Sequence, residues 1–156
     1  MMETTVDPRR LVEQARAEGI TRFSVGMILH RAEGREFLLL RRRPDDTSFP
    51  GGEDLPSGGV EPGEGLFEGL ARELHEEIGR RADAPVRPDP FVSWFDYVSR
   101  SGNRKRWFAF SAPYDGAPIR LSEEHTGFRW APMREYDRSD LSPQVAGAVR
   151  DRLGTF

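Results

Sequence analysis

The chain has 156 residues, of which 31% are charged; its formal net charge is −3 and it contains no cysteine. That length suits one ordinary domain with a buried core, and the slight acidity gives no general attraction to nucleic acid or to an anionic membrane. The missing cysteines exclude disulfides, thiolate metal sites and cysteine nucleophiles. No basic segment followed by an apolar run opens the chain and no stretch reaches membrane-spanning length, so the expectation is a cytoplasmic protein with neither nucleic-acid nor membrane partners.

Asp7-Pro8 reads as an N-cap followed by proline in the first helical turn, with Gly19 just past the helix end. This weakly amphipathic helix, within an extension over 1–20, is available to pack on the domain or on a second subunit, which leaves room for a homodimer. Residues 22–30 and 36–43 read as strands joined by a turn at Ala32-Glu33-Gly34, a hairpin at the heart of a sheet. Residues 44–65 are too rich in glycine and proline for regular structure. A helix then spans about 65–78 and stops at Gly79, followed by a polar loop over 80–90. Residues 91–98 and 104–112 read as aromatic-rich strands around a Ser101-Gly102-Asn103 turn. A short strand over 128–131 and a last helix from Ser142-Pro143 to about Leu153-Gly154 complete the pattern. Strands on both sides of a central helix give an α/β class with a mixed, partly antiparallel sheet between helices.

The central helix carries the chemistry. Glu73, Glu76 and Glu77 are three and four residues apart, so their carboxylates share an arc of roughly 100°. Phe67, Leu70, Leu74 and Ile78 fill the neighbouring arc and pin the helix to the sheet, which holds the acidic arc rigidly beside a cleft. Three such carboxylates repel one another, and a hard divalent cation reverses that cost. Mg²⁺, which bridges carboxylates to phosphates, is the expected ion, with Mn²⁺ as an alternative. Arg72 can fork between the acids, and the glycines at 58 and 59 leave space where a diphosphate or ion approaches the backbone, with the Gly58 carbonyl a further ligand candidate. The earlier pair Gly51-Gly52 lacks a glutamate at the matching distance.

The whole pattern, Gly58-x5-Glu64-x7-Arg72-Glu73-Leu74-x-Glu76-Glu77-x-Gly79, has a chance frequency on the order of 10⁻⁸ per start. It resembles the Nudix box over 58–80, and the flanking strands extend the likeness over most of the chain. The resemblance implies one Nudix hydrolase domain over 1–156, an α/β/α sandwich, with Glu73, Glu76 and Glu77 holding metal and Arg72 orienting them. Glu64, Gly59 and Gly79 would support the loop and helix. Two positions depart from the family pattern: Ser57 replaces a glycine, and Arg80 replaces the apolar residue that closes the box. Members often add a glutamate from outside the box; Glu124 is the first candidate, Glu123 the second, and a plain exposed acidic loop is the competing reading.

The implied reaction is attack of water on phosphorus in the diphosphate linkage of a nucleoside diphosphate-X compound, with Glu76, Glu77 or Glu124 taking the proton. Arg41 and Arg43 on one strand face are candidates to hold a distal phosphate, and Phe49 and Tyr97 to contact the nucleoside. Core packing and solvated charge compete for these residues. A nucleoside triphosphate, a dinucleoside polyphosphate and a nucleotide sugar all remain open. Tyr97 favours the second, and Phe95 stands where ADP-ribose hydrolases tend to carry proline. A Nudix-like sensor that binds a nucleotide metabolite without cleaving it is the alternative.

Overall fold

The computed structural model describes residues 5–47 and 50–156. Helix α1 (Pro8–Ala17) is capped by the Asp7 carboxylate, which accepts from the Arg9 amide at 3.0 Å. Strands β1 (Phe23–Arg31) and β2 (Glu36–Arg42) follow, turning through Ala32, Glu33 and Gly34, all at positive φ. Then come two short strands, β3 (Glu53–Asp54) and β4 (Ser57–Gly59), helix α2 (Leu66–Ile78), and strands β5 (Ser93–Val98), β6 (Arg104–Pro113) and β7 (His125–Pro132). A 3-10 helix (Met133–Arg138) leads into α3 (Pro143–Leu153), whose cap Ser142 accepts from the Val145 amide at 3.4 Å.

The described residues form one mixed, seven-stranded sheet between helices, as expected from the strand pattern. The β1–β2 hairpin differs from the expected pairing. The two strands pair only next to their turn, at His30 with Phe37 and Arg31 with Glu36. Beyond that they splay, and β4 fills the gap on β1 while β3 fills it on β2. The free edges then take other partners: β6 runs parallel to β1 over its length, and β7 runs antiparallel along β2. The glycine- and proline-rich stretch is therefore not wholly irregular, because Gly58 and Gly59 can lie in a ladder without placing side chains on either face. Strand β7 is twice as long as the expected 128–131, since it takes its length from β2 and not from its own weakly apolar sequence.

Strand alternation divides the core into two layers. Val25, Met27, Leu29, Leu38, Leu40, Phe108 and Phe110 face α1 and α2, meeting Ala15, Leu66, Leu70, Leu74 and Ile78. Ile28, Phe37, Leu39, Trp107 and Ala109 face α3, meeting Ala148, Val149 and Met133. Buried on both sides, β1 reads as an almost continuous apolar run, which is what a central strand requires. Helix α1 packs on this chain's own core through Ala15, and Ile20 just beyond it is fully buried.

Candidate active site

Helix α2 starts at Gly65 and stops at Gly79, whose φ of 75° closes the last turn in the left-handed region. A side chain at Gly79 would meet the Arg120 Cβ at 2.8 Å, so that position needs glycine on both counts. One face of α2 carries Leu66, Leu70, Leu74 and Ile78 into the core. Beside that face Glu73 and Glu77 are 9% and 5% exposed, while the side chain of Glu76 is 54% exposed at the rim. Of the three acids expected on one arc, two point inward against β4 and one stays in solvent.

Arg72 ties loop to helix. Its Nε donates to Glu64 Oε2 at 2.8 Å and its Nη2 to Glu64 Oε1 at 3.0 Å, a two-pronged grip. The same Nη2 donates to the Gly59 carbonyl at 2.7 Å, and Nη1 donates to Glu73 at 3.0 Å and to Glu76 at 3.4 Å. Glu64 in turn accepts from the Glu61 amide at 3.0 Å, closing the loop on itself. The acids hold the Arg72 guanidinium firmly in its charged form, and the guanidinium holds Glu64 below the usual carboxylate range. Gly58 lies against the Glu73 carboxylate so closely that a Cβ there would overlap it.

Glu77 has no such cation. Its Oε2 accepts from the Ser57 amide at 3.3 Å. Burial pushes its carboxyl far above the usual range, the Ser57 amide opposes this, and the charges of Glu73, Asp54 and Glu124 push further upward. Glu73 is raised as well, by burial first, against the pull of Arg72. Two buried acids stand side by side, Glu73 on Arg72 and Glu77 without a cation among the described residues, a pair that a further positive charge would stabilise.

A cleft of about 360 Å³ opens from the β4 glycines on the α3 side of the sheet. Phe95, Tyr97 and Trp107 form its aromatic wall, with Phe95 and Trp107 ring centroids 5.0 Å apart. Gly26 of β1 makes room for the indole, because a Cβ there would overlap the Trp107 ring. Gln144 and Val145 from the start of α3 face this wall, and Arg42, Asp54 and Lys105 supply charge.

A family model described as the NUDIX domain matches residues 20–151. The chain belongs to the Nudix family. It is 30% identical over 131 residues to an RNA pyrophosphohydrolase of Mesorhizobium japonicum, covering 71% of this chain and 76% of that one. It is 28% identical over 120 residues to the nucleoside triphosphatase NudI of Escherichia coli, covering 73% and 85%. The MutT protein of Methanosarcina mazei superposes with a TM-score of 0.71 at 28% identity, over 86% of this chain and 96% of that one. The protein is thus a Nudix hydrolase with the sandwich fold of that family.

Nudix hydrolases generally use divalent metals, and the box residues here suit one. The donors are hard carboxylate oxygens, two of them buried and one of those, Glu77, paired with no described cation, next to a glycine whose missing side chain leaves the Glu73 carboxylate in place. Among the described residues no three acidic or histidine side chains already converge as an ion's ligands. The reason is visible in Arg72, which draws Glu73 and Glu76 toward itself.

The other residues singled out by sequence scatter. Tyr97 lines the cleft, its hydroxyl 2.9 Å from Ser24 Oγ. Arg41 lies outside the cleft, on the Gly51 carbonyl at 2.6 Å and near Asp140 and Glu53. Arg43 pairs with Asp45 at 2.9 Å, and its amide donates to the Glu124 carbonyl at 3.2 Å. Phe49 lies outside the described residues. The loop bearing Glu124 runs beside the end of α2, where the Ser122 amide donates to the Glu77 carbonyl at 3.3 Å. Trp94 faces the other side, under the Arg106 guanidinium at 3.8 Å. None of the three histidines joins the box acids: His30 bonds Asp89 and His75 bonds the Arg80 carbonyl. His125 is buried at the start of β7 with its Nδ1 unpartnered, and burial lowers its pKa.

Sequence reasoning missed Asp54, Ser24, Trp107 and Gln144 as cleft residues. For Ser24 and Trp107 the signal was available: strand parity puts them on the same face as Tyr97. For Asp54 and Gln144 it was not, because their position depends on how β3 and α3 return to the sheet.

Proposed function

We propose that the protein is a divalent-metal-dependent pyrophosphohydrolase that cleaves the diphosphate linkage of a nucleoside diphosphate-X substrate in the β4–α2 site. The observation that carries this reading is the placement of buried Glu73 against Gly58 and of buried Glu77 on the Ser57 amide, beside an aromatic cleft that Ser57 and Gly58 line and that is wide enough for a nucleoside. Glu73, Glu76, Glu77 and the Gly58 carbonyl would hold Mg²⁺, with Mn²⁺ as a substitute. When bound, such an ion lowers the pKa of water and offsets charge on phosphate oxygens.

The chain's own residues do the rest. Arg72 ties Glu73, Glu76 and the Gly59 carbonyl to one guanidinium, which limits how far the acids must turn to take up an ion. Phe95, backed by the buried Trp107 ring, would take a base, and Tyr97 stands beside it. A carboxylate oxygen of Glu76, Glu77 or Glu124 accepts the proton of the attacking water. The new P–O bond forms as the bridging oxygen departs with the second phosphoryl group. The products are two phosphate monoesters from a nucleotide sugar, a nucleoside monophosphate and pyrophosphate or a nucleoside diphosphate and phosphate from a triphosphate, and two nucleotides from a dinucleoside polyphosphate.

The test is a substrate panel of nucleoside triphosphates, dinucleoside polyphosphates, nucleotide sugars and a 5′-triphosphorylated RNA, each with Mg²⁺ and with EDTA. Hydrolysis of at least one class that stops in EDTA is the expected result. Inactivity across the panel, with tight binding of one member, would replace this reading with the sensor alternative.

A further inference from the structure

The chain holds 23 lysines and arginines, and only Lys105 is a lysine. It stands on β6 opposite Tyr97 of β5 and lines the same face of the cleft as Trp107. Its side chain makes no hydrogen bond or ion pair among the described residues. The arginines around the site are committed elsewhere. Arg42, in the same cleft, gives Nη2 to Asp54 at 2.8 Å and Nη1 to Asp46 at 3.2 Å. Arg41 and Arg43 pair outside it. Lys105 is therefore the cleft's one uncompensated cation among the described residues, across the aromatic wall from the acidic box.

We propose that Lys105 binds a phosphate other than the two being separated, and so directs the enzyme toward nucleoside tri- or polyphosphates over diphosphate-linked sugars. This rests on the hydrolase reading above: the two phosphates flanking the broken bond belong at the box, where Glu73, Glu77 and Gly58 lie. A cation further along the cleft then meets charge that a nucleotide sugar lacks and a triphosphate carries. An ammonium suits that task, since it offers three freely rotating donors and a compact charge on a flexible stem. The aromatic wall beside it takes the base, so base and extra phosphate are held by neighbouring strands and the scissile bond falls at the box.

The test compares wild type with Lys105→Met and Lys105→Arg on ATP and GTP, and on ADP-glucose and GDP-glucose. In Lys105→Met the KM for the triphosphates rises about tenfold or more, the loss expected for one charge-assisted hydrogen bond, while kcat stays within about threefold. KM for the sugars is unchanged, and Lys105→Arg recovers part of the loss. A second arm needs no turnover, and its binding readout is taken on wild type. Reductive methylation with ¹³C-formaldehyde labels a single side chain, whose NMR signal is assigned by its absence in Lys105→Arg. In EDTA that signal shifts with ATP or GTP and not with the sugars. If wild type hydrolyses nothing yet the signal shifts with triphosphate alone, the hydrolase reading fails and Lys105 remains a phosphate-binding residue. Triphosphate hydrolysis with KM unaltered in Lys105→Met, or a signal indifferent to triphosphate, overturns the proposal.

Discussion

Arg72→Lys separates charge from geometry at the point where loop meets helix. A lysine keeps the positive charge but cannot make the two-pronged bond to Glu64 while also reaching the Gly59 carbonyl and Glu73. Three of the five hydrogen bonds, at 2.8, 3.0 and 2.7 Å, go to the loop, and these are the ones an ammonium in reach of Glu73 gives up. The side chains of Arg72 and Glu64 are 24% and 14% exposed, so solvent screens the pair only in part. Hydrogen bonds to charged groups contribute about 1.5–3 kcal/mol each, and the retained charge recovers some of that, which leaves a cost of about 2 kcal/mol. For a chain of this length that lowers Tm by roughly 4–8 °C. Calorimetry of Arg72→Lys, Glu64→Gln and the double variant checks the assignment. The double variant should lose little more than the larger single loss, because both singles break the same bonds. Turnover should fall by about a hundredfold or more as the Gly59 carbonyl and Glu73 lose their common tether. Additive losses in the double variant, or wild-type turnover in Arg72→Lys, would refute the tether.

Gly58→Ala places a Cβ inside the Glu73 carboxylate and should displace that side chain while leaving the backbone ladder intact. Activity and Mn²⁺ affinity measured by titration then drop together, with Tm within about 3 °C of wild type. Glu77→Gln keeps the shape and the burial of the side chain, so the protein folds, but its Tm no longer rises on adding Mg²⁺ and its turnover falls by orders of magnitude. Wild-type turnover in folded Glu77→Gln would remove Glu77 from the site. Glu53, which bonds Arg129 at 2.6 and 2.9 Å, is held below its ordinary 4.5 by that hydrogen bond first, against the opposing effect of burial. A depressed folded pKa means its contribution is complete above the unfolded value and disappears as pH falls through the folded one. The fall of Tm below about pH 4.5 should therefore be shallower in Glu53→Gln than in wild type.

What could be read from sequence was what is local. Helix α2, its stop at Gly79, the caps at Asp7 and Ser142 and the gathering of Glu73 near Glu77 all follow from residues within a turn or two of one another. The outward placement of Glu76 was legible too, since helical phase sets it beyond Glu73 from the apolar stripe. The grip of Arg72 on Glu64 and the Gly59 carbonyl was hidden. The separation of Arg41 and Arg43 from the cleft was hidden too, since Asp140 and the Glu124 backbone hold them from distant parts of the chain. The length of β7 is set by β2 in the same way. Long-range pairing, and not weak local signal, marks the boundary of what the sequence discloses.

The splayed hairpin keeps the support of the box separate from the wall of the cleft. Ser57, Gly58 and Gly59 are held by backbone bonds to Gly26, Val25 and Ser24, and the Gly59 carbonyl is also held by Arg72. Neither restraint uses a side chain of the cleft wall. That wall comes from β5, β6 and the start of α3, elements outside the box whose residues can change without moving Glu73 or Glu77. Relatives bearing the names of an RNA pyrophosphohydrolase and of a nucleoside triphosphatase are then compatible with one fold and one box. Specificity should follow the wall: substitutions at Phe95, Lys105 or Gln144 should redistribute KM among substrates, whereas substitutions at Arg72 or Glu77 should lower kcat for all of them alike. A Gln144→Ala enzyme that lost turnover equally on every nucleotide, with KM unaltered, would show that wall and box are not independent.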